Sequence, residues 1–328
     1  MEPVSIFRDK RIVLGVTGGI AVYKVAALAS HLTQAGSIVD VVMTEAGTRF
    51  VAPLTFEALT GRPVYRDMWE PPSAGLPIHI SHVGLAHAAD LLVIAPATAN
   101  TLAKLAAGLA DNLLTTLALA ARCPILVAPA MDVGMWSNPA TQANVATLRE
   151  RGVHVVGPAR GRMASGLEGE GRLVEPDELL GAVRWVLGRA GDLAGRRIVV
   201  TAGPTREPID PVRFISNPST GRQGFALAQA ALDRGAEVTL ITGPTHLATP
   251  FGARRVDVTT VEALQAAVLS AVEGADALLM AAAVGDYRPA SAAPRKIKKA
   301  GNLTLSLVRT PDVLAAVAAA RALSGFPR

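Results

Sequence analysis

A chain of 328 residues is long enough for about two domains of ordinary size, and with half its residues hydrophobic and only 18% charged it excludes extended disorder. Aromatic residues make up 4%, so the cores must be built from Ala, Val, Leu and Ile, a palette that suits buried parallel strands covered by helices. The formal charge of +5 does not single out nucleic acid: the one dense basic run is Arg295-Lys296-Ile297-Lys298-Lys299, no zinc-finger, basic-helix or RNP-like pattern accompanies it, and substrates bearing phosphates and carboxylates suit a basic protein equally well. Cys123 is the only cysteine, which excludes an intramolecular disulfide and a thiolate metal cluster within one chain. Met1-Glu2-Pro3-Val4 lacks a signal-peptide pattern and no apolar run reaches a spanning length, so a cytoplasmic protein without membrane or nucleic-acid partners is expected.

In chain order, residues 11–16 form a short apolar run that ends in Thr17-Gly18-Gly19. A helical pattern follows over 20–34, closed by Gly36, and 38–43 reads as the next strand. This strand, glycine turn, helix, strand unit is what parallel sheets are made from. The alternation continues with a strand over 91–95, helical material over 101–121, a strand over 125–128, a helix over 138–151, a strand over 154–156 and a helix over 177–189. The pattern then restarts, since Arg197-Ile-Val-Val200 with Thr201-Ala202-Gly203 echoes Arg11-Ile-Val-Leu14 with Thr17-Gly18-Gly19, and residues 231–238 echo residues 32–39. Two Rossmann-like α/β domains are expected, 1–191 and 192–328, joined near Gly191 in the small-residue stretch 188–195. The second half offers strands near Arg197, Glu237, Arg254 and Ala277 and a helix over 312–323, so its sheet reads as unfinished.

The turn Thr17-Gly18-Gly19-Ile20 presents backbone N–H groups at a helix N-terminus, a position that favours an anion, although its spacing is not that of a dinucleotide fingerprint. Ala95-Pro-Ala-Thr-Ala-Asn100 lies just past the carboxyl end of a strand, where open α/β sheets bind ligands, and Ala128-Pro-Ala-Met-Asp132 lies at the end of the next, so the two make walls of one crevice.

On "ADLLVIAPATAN", "PAM", "MW" and "NPATQAN" the chain resembles the homo-oligomeric flavin-containing cysteine decarboxylases, in particular the bacterial bifunctional phosphopantothenoylcysteine decarboxylase/phosphopantothenate–cysteine ligases, and the resemblance covers the whole chain. It implies a flavodoxin-like flavoprotein domain followed by a nucleotide-binding ligase domain, in a homo-oligomer whose flavin sites lie between subunits. It places the FMN phosphate at Gly18, Gly19, Ile20 and Thr44, and the flavin against Thr98, Ala99, Asn100 and Ala130. His82, in its Ile-x-His-Val-x-Leu context, stands at the family's active-site histidine, with His79 and His87 as neighbouring alternatives; its implied role is acid–base and electrostatic handling of the cysteinyl carboxylate. Met131 and Asp132 fall at the substrate-binding segment, where the family usually has Asn and a second anion would repel a carboxylate. The flexible loop 161–171 carries Ser165 where the family usually has a proton-donating Cys, and Ser is a far poorer acid. Cys123 cannot substitute, because Arg-Cys-Pro-Ile-Leu places it at the start of a buried strand as a small core hydrophobe.

In the second half the resemblance assigns Arg213 to substrate binding and Asn217 to orienting an acyl intermediate. It assigns Ala281, Ala282, Asp286, Lys296 and Pro311-Asp312-Val313-Leu314 to CTP, with Lys296 neutralising charge on the phosphates. CTP and Mg²⁺ would activate phosphopantothenate, and cysteine would displace CMP; no residue is singled out for the metal. The family continues beyond the Gly325-Phe326 segment, so this ligase half is expected to be truncated. Two rival functions remain open: a non-catalytic, regulatory flavin-binding protein of the same fold, favoured by Asp132 and Ser165, and a nicotinamide oxidoreductase with Asp40 at the end of its second strand, disfavoured by the glycine spacing.

Overall fold

The computed structural model describes residues 6–69, 81–299 and 301–327, which form two compact units, Met1–Leu187 and Gly188–Arg328. His79 lies outside the described residues. Among the described residues no helix is long and apolar enough to cross a membrane.

The first unit opens with β1 (Arg11–Val16), α1 (Val22–Gln34) and β2 (Ile38–Met43). α1 starts two residues later than its apolar pattern, and Gly36, at φ 91°, makes the turn into β2. Two elements that the alternation does not announce come next, beyond the short α2 (Glu45–Thr48): α3 (Pro53–Thr60) and the buried edge strand β3 (Val64–Tyr65). Pro53 starts α3 in its first turn, and Gly61, in the left-handed conformation, ends it. After α4 (Ser81–Ala88) and β4 (Leu91–Ala97), the helical stretch expected as one piece is two, α5 (Ala99–Ala107) and α6 (Leu113–Ala120). Left-handed Gly108 closes α5, and a reciprocal capping box between Asn112 and Thr115 opens α6. Then follow β5 (Ile125–Pro129), α7 (Val133–Ser137), α8 (Pro139–Glu150) and β6 (His154–Val155). The segment expected to be a flexible loop is instead an antiparallel hairpin, β7 (Ala159–Arg162) and β8 (Glu168–Arg172), ahead of α9 (Pro176–Gly188).

The six-stranded sheet has the order β3-β2-β1-β4-β5-β6, parallel throughout. This doubly wound order reverses between β1 and β4, and the carboxyl ends of strands at such a reversal are where open α/β sheets bind ligands. Val13, Leu92, Ile94 and Val127 of the strands pack on Leu85, Leu102 and Leu117 of α4, α5 and α6. At the amino ends, Asp90 accepts from Arg11 N (2.8 Å) and Lys10 Nζ (3.0 Å), which fixes the start of β1 against β4. At the carboxyl ends, the buried Thr17 hydroxyl donates to the Pro96 carbonyl and accepts from Thr98 N (3.2 Å).

The second unit contains β9 (Arg197–Ala202), β10 (Arg206–Pro208), β11 (Phe214–Ser216), α10 (Arg222–Asp233), β12 (Glu237–Thr242), β13 (Arg254–Asp257), α11 (Val261–Val272), β14 (Ala277–Met280), β15 (Tyr287–Pro289), β16 (Leu307–Arg309) and α12 (Val313–Ser324). Its main sheet is parallel in the order β13-β12-β9-β14, while β10–β11 and β15–β16 are separate antiparallel hairpins. Val199 and Ile241 meet Leu264 and Val268 of α11 and Val313 and Val317 of α12 in its core.

Replacing Thr17 by the isosteric valine removes the hydroxyl and leaves one buried and one partly buried backbone group without that partner. The expected cost is about 1–3 kcal/mol, read as a lower urea midpoint for the first unit; an unchanged midpoint would show that the strand ends are held by packing alone.

Candidate functional site

In the first unit, the carboxyl ends of β1, β2, β4 and β5 carry the residues that the sequence singles out for FMN. Helix α1, thirteen residues long, begins at Ala21 with no side-chain cap; Val22 N and Lys24 N donate to the Gly19 and Ala21 carbonyls (3.1 and 3.0 Å), so an anion there would meet the remaining donors of the turn. The two glycines before it do different jobs. A Cβ on Gly18 would stand 2.4 Å from the Cβ of Ala46, so Gly18 is needed for the close approach of α2; a Cβ on Gly19 would meet only Pro96 Cγ, at 3.8 Å. Gly19 therefore leaves room at the mouth of the crevice, and Ile20 is 62% exposed beside it.

Thr44 and Thr98 both act as helix caps. Thr44 Oγ1 accepts from Gly47 N (3.2 Å) at α2, and Thr98 Oγ1 accepts from Thr101 N (3.3 Å) at α5. Ala99 opens α5 and Asn100 is exposed in its first turn. Ala130 N donates to the Ala97 carbonyl (3.1 Å), so the two walls expected from the sequence are joined directly.

His82 lies in the first turn of α4. α4 ends at Ala88, just before β4, and its buried Leu85 and Ala86 pack in the core with α6. The His82 Nδ1 is buried and has no partner among the described residues, whereas His87 is exposed. A buried ring nitrogen left alone is costly unless a ligand supplies its partner.

The two departures from the family pattern, 33 residues apart, meet: Ser165 Oγ donates to Asp132 Oδ2 at 2.7 Å. Asp132 also caps α7 by accepting from Gly134 N (3.0 Å). The Ser165 hydroxyl first, and then the Gly134 N–H, hold its carboxyl below the usual carboxylate range. The hairpin bearing Ser165 is seated on this segment by Met131 N donating to the Gly171 carbonyl (2.9 Å) and by glycines at close approach, where a Cβ on Gly169 would lie 2.5 Å from Val133 Cγ2. Cys123 is half-buried against the core and burial pushes its thiol up, as suits a packing residue.

One residue escaped the sequence reading. Lys24 lies on the buried face of α1, where its Nζ donates to the Leu173 carbonyl (3.1 Å) and to Glu175 (3.0 Å), just past the hairpin. A lysine among Val22, Val25 and Leu28 was the available signal.

The second unit has a cleft of about 960 Å³ lined by Arg206, Arg222, Arg255, Ser219, Thr220, His246 and Asn217. Arg206, Arg222 and Arg255 make the cleft basic, although Asp257 also lines it and accepts from Arg255 Nε (2.8 Å); with the start of twelve-residue α10, which Gly221 enters without a side-chain cap, the set suits an anion. Asn217 Nδ2 donates to the Val284 carbonyl (3.0 Å), which brings it beside the segment holding Ala281, Ala282 and exposed Asp286. The Ala281 and Ala282 N–H groups both donate to Thr201 Oγ1, at 3.1 Å each, so they hold the segment in place. Lys296 lines a separate cavity of about 640 Å³ with Arg213, Lys298 and Lys299. In the last expected CTP segment, half-buried Pro311 precedes Asp312, which caps α12; Val313 belongs to the core and Leu314 is 61% exposed. Among the described residues no group of three or more His, Cys, Asp or Glu side chains is placed to hold a metal ion.

The Flavoprotein family model matches residues 5–187, and that of the DNA/pantothenate metabolism flavoprotein C-terminal domain matches residues 193–326. The coenzyme A biosynthesis bifunctional protein CoaBC of Mycobacterium tuberculosis is 50% identical over 325 residues, covering 97% of this chain and 77% of that protein. The CoaBC protein of Vibrio cholerae is 46% identical over 313 residues, covering 94% and 77%. Among solved structures, a PPC decarboxylase mutant complexed with pantothenoylaminoethenethiol is 36% identical over 54% of this chain and 97% of its own, with a TM-score of 0.48.

The contrast between the two glycines is testable. Gly18→Ala is expected to cost about 1–3 kcal/mol through overpacking against α2, seen as a lower melting temperature, while Gly19→Ala leaves the melting temperature of the protein as purified without added ligand unchanged. Equal effects would refute the division.

Proposed function

The chain belongs to the CoaBC family of coenzyme A biosynthesis bifunctional proteins, and from that premise we propose that residues 1–191 bind FMN and decarboxylate phosphopantothenoylcysteine to phosphopantetheine, while residues 192–328 join cysteine to phosphopantothenate with CTP. The observation that carries the first part is the reversal of strand order between β1 and β4, with a helix that has no side-chain cap after β1 and, in the helix before β4, a buried histidine nitrogen that has no partner among the described residues.

The residues present fit FMN. The open turn at Gly19 and Ile20 suits its phosphate, and the joined loops at Thr98–Asn100 and Ala130 offer a mostly apolar wall for its ring. When bound, FMN supplies the oxidation of the thiol-bearing carbon and returns the electrons at the end of the reaction. On this reading His82 Nδ1, which has no partner among the described residues, finds one in the substrate and helps to hold the cysteinyl carboxylate. Asp132 borders the substrate beside Met131, but both its oxygens already accept hydrogen bonds, so its contribution is made with the Ser165 hydroxyl as a unit. With its proton directed at Asp132, Ser165 is poorly placed to protonate substrate carbon. That bond is also what favours the second reading, a flavin-binding protein that does not complete the reaction.

In the ligase half, the arginine-lined cleft with Asn217 suits the phosphates and the acyl intermediate, and Lys296 adds charge from its own loop. Mg²⁺ would arrive held by the nucleotide's phosphates and by water, which needs few protein carboxylates. Homo-oligomerisation of the first unit is proposed on the family membership alone.

Incubating purified, flavin-loaded protein with phosphopantothenoylcysteine and identifying the products by mass spectrometry tests this reading. Phosphopantetheine is expected from the native protein. His82→Asn should keep its flavin absorbance while turnover falls by roughly two to four orders of magnitude. Carbon dioxide release with accumulation of the unreduced enethiol would locate the defect at Ser165, and a flavin-loaded protein with no turnover would leave only the binding reading.

A further inference from the structure

One acidic side chain of the second unit, with five hydrogen bonds among the described residues, belongs to none of the residues discussed above. Asp210 is buried, with its side chain fully out of solvent. Its Oδ1 accepts from Val212 N (2.8 Å) and Arg213 N (2.9 Å). Its Oδ2 accepts from Arg213 Nε (3.0 Å), from Arg213 Nη2, and from Ile297 N (3.1 Å). The Arg213 guanidinium first, and then these backbone donors, hold its carboxyl well below the usual carboxylate range. Four of the five bonds stay inside its own turn, and the fifth crosses 87 residues to Ile297.

Two further bonds run the same way. Arg213 Nη2 also donates to the Ile297 carbonyl (2.9 Å), and Ala293 N donates to the Ile209 carbonyl (2.9 Å). Ile297 is thus gripped at both its N–H and its C=O, while its neighbours Lys296 and Lys298 face the 640 Å³ cavity. Three lysines in four residues repel one another, and without a counter-charge such a loop spreads into solvent. A buried carboxylate beneath it, tied through a guanidinium fork, offsets the repulsion without covering the lysine ammonium groups.

We infer that Asp210 is a positioning residue for the ligation reaction, acting through Arg213 and the Ile297 backbone to hold the Lys296 loop over its anion-binding cavity. The inference rests on the ligase reading for its chemical purpose, but not for its geometry. On this view Arg213 serves the loop first, and the charge that meets the phosphates comes from the lysines.

The two parts can be tested separately on the native chain. Limited trypsin digestion, with cleavage sites identified by mass spectrometry, reads the loop without any ligation. Asp210→Asn keeps the shape but loses the charge, and is expected to speed cleavage after Lys296 and Lys298 by about tenfold, with cleavage elsewhere in the unit unchanged. Arg213→Lys, which keeps a charge but not the fork, should give an intermediate acceleration and serves if Asp210→Asn does not fold. In the CTP-dependent ligation assay, kcat of Asp210→Asn should fall about tenfold while KM for phosphopantothenate stays within about twofold, a split that general loosening of the unit would not give. Loop cleavage within twofold of the native rate in both variants overturns the inference, as does a loss of ligation carried by KM alone. Accelerated cleavage in a protein whose native form ligates nothing overturns the ligase reading instead and leaves the loop contact standing.

Discussion

Where the first sheet reverses direction, a single hydroxyl spans the gap. Thr17 donates to one backbone group at the end of β4 and accepts from another just past it, so the carboxyl ends of β1 and β4 are tied together before any ligand arrives. At the other end of the same strands, Asp90 fixes their starting register through the Arg11 N–H. The cap at Thr98 and the loop that Ala130 joins to Ala97 both start from a strand end held in this way. The second unit repeats the device. Asp276 accepts from Arg197 N at the start of β9, and Thr201 accepts from Ala281 N and Ala282 N at its end. Both carboxylate bonds span 79 residues. The echo between Arg11-Ile-Val and Arg197-Ile-Val is thus an echo of a clamp as well as of a strand.

Much of this was legible because it is periodic. The strands at 11–16, 38–43 and 197–200, and the helices at 138–151 and 312–323, have the lengths and apolar spacing that a wound sheet demands, and they stand within a residue or two of expectation. The misses have local causes. Gly108 splits what composition reads as one helix, since a left-handed residue ends it whatever the apolar pattern around it. Residues 53–65 hide a helix and a strand because β3 has only two residues, too few to show a period. The Gly-rich segment around Ser165 reads as a loop, but its glycines serve close packing of a hairpin on Val133 and Met131. Contacts that join distant positions, such as Ser165 with Asp132 or Asp210 with Ile297, leave no trace in a single sequence.

Several residues that a family resemblance marks as binding groups also do structural work. Thr44, Thr98, Asp132 and Asp312 each cap a helix, Gly18 admits α2, and Val313 is a core side chain. A loss of activity on replacing any of them has two sufficient physical causes. His82, Gly19 and Lys296 are different: none is a cap, and none fills a close contact in the core. They are the positions where a change in chemistry can be read as chemistry.

Lys24 carries one consequence further. Its ammonium sits one turn inside α1, close to the open glycine turn, yet its partners are the Leu173 carbonyl and Glu175, immediately after the hairpin that holds Ser165. The amino end of α1 and the base of the hairpin are therefore one mechanical piece. Substitutions in the phosphate turn and in the hairpin will not add as independent sites do. Whether a substitution at one is tolerated therefore depends on what already stands at the other.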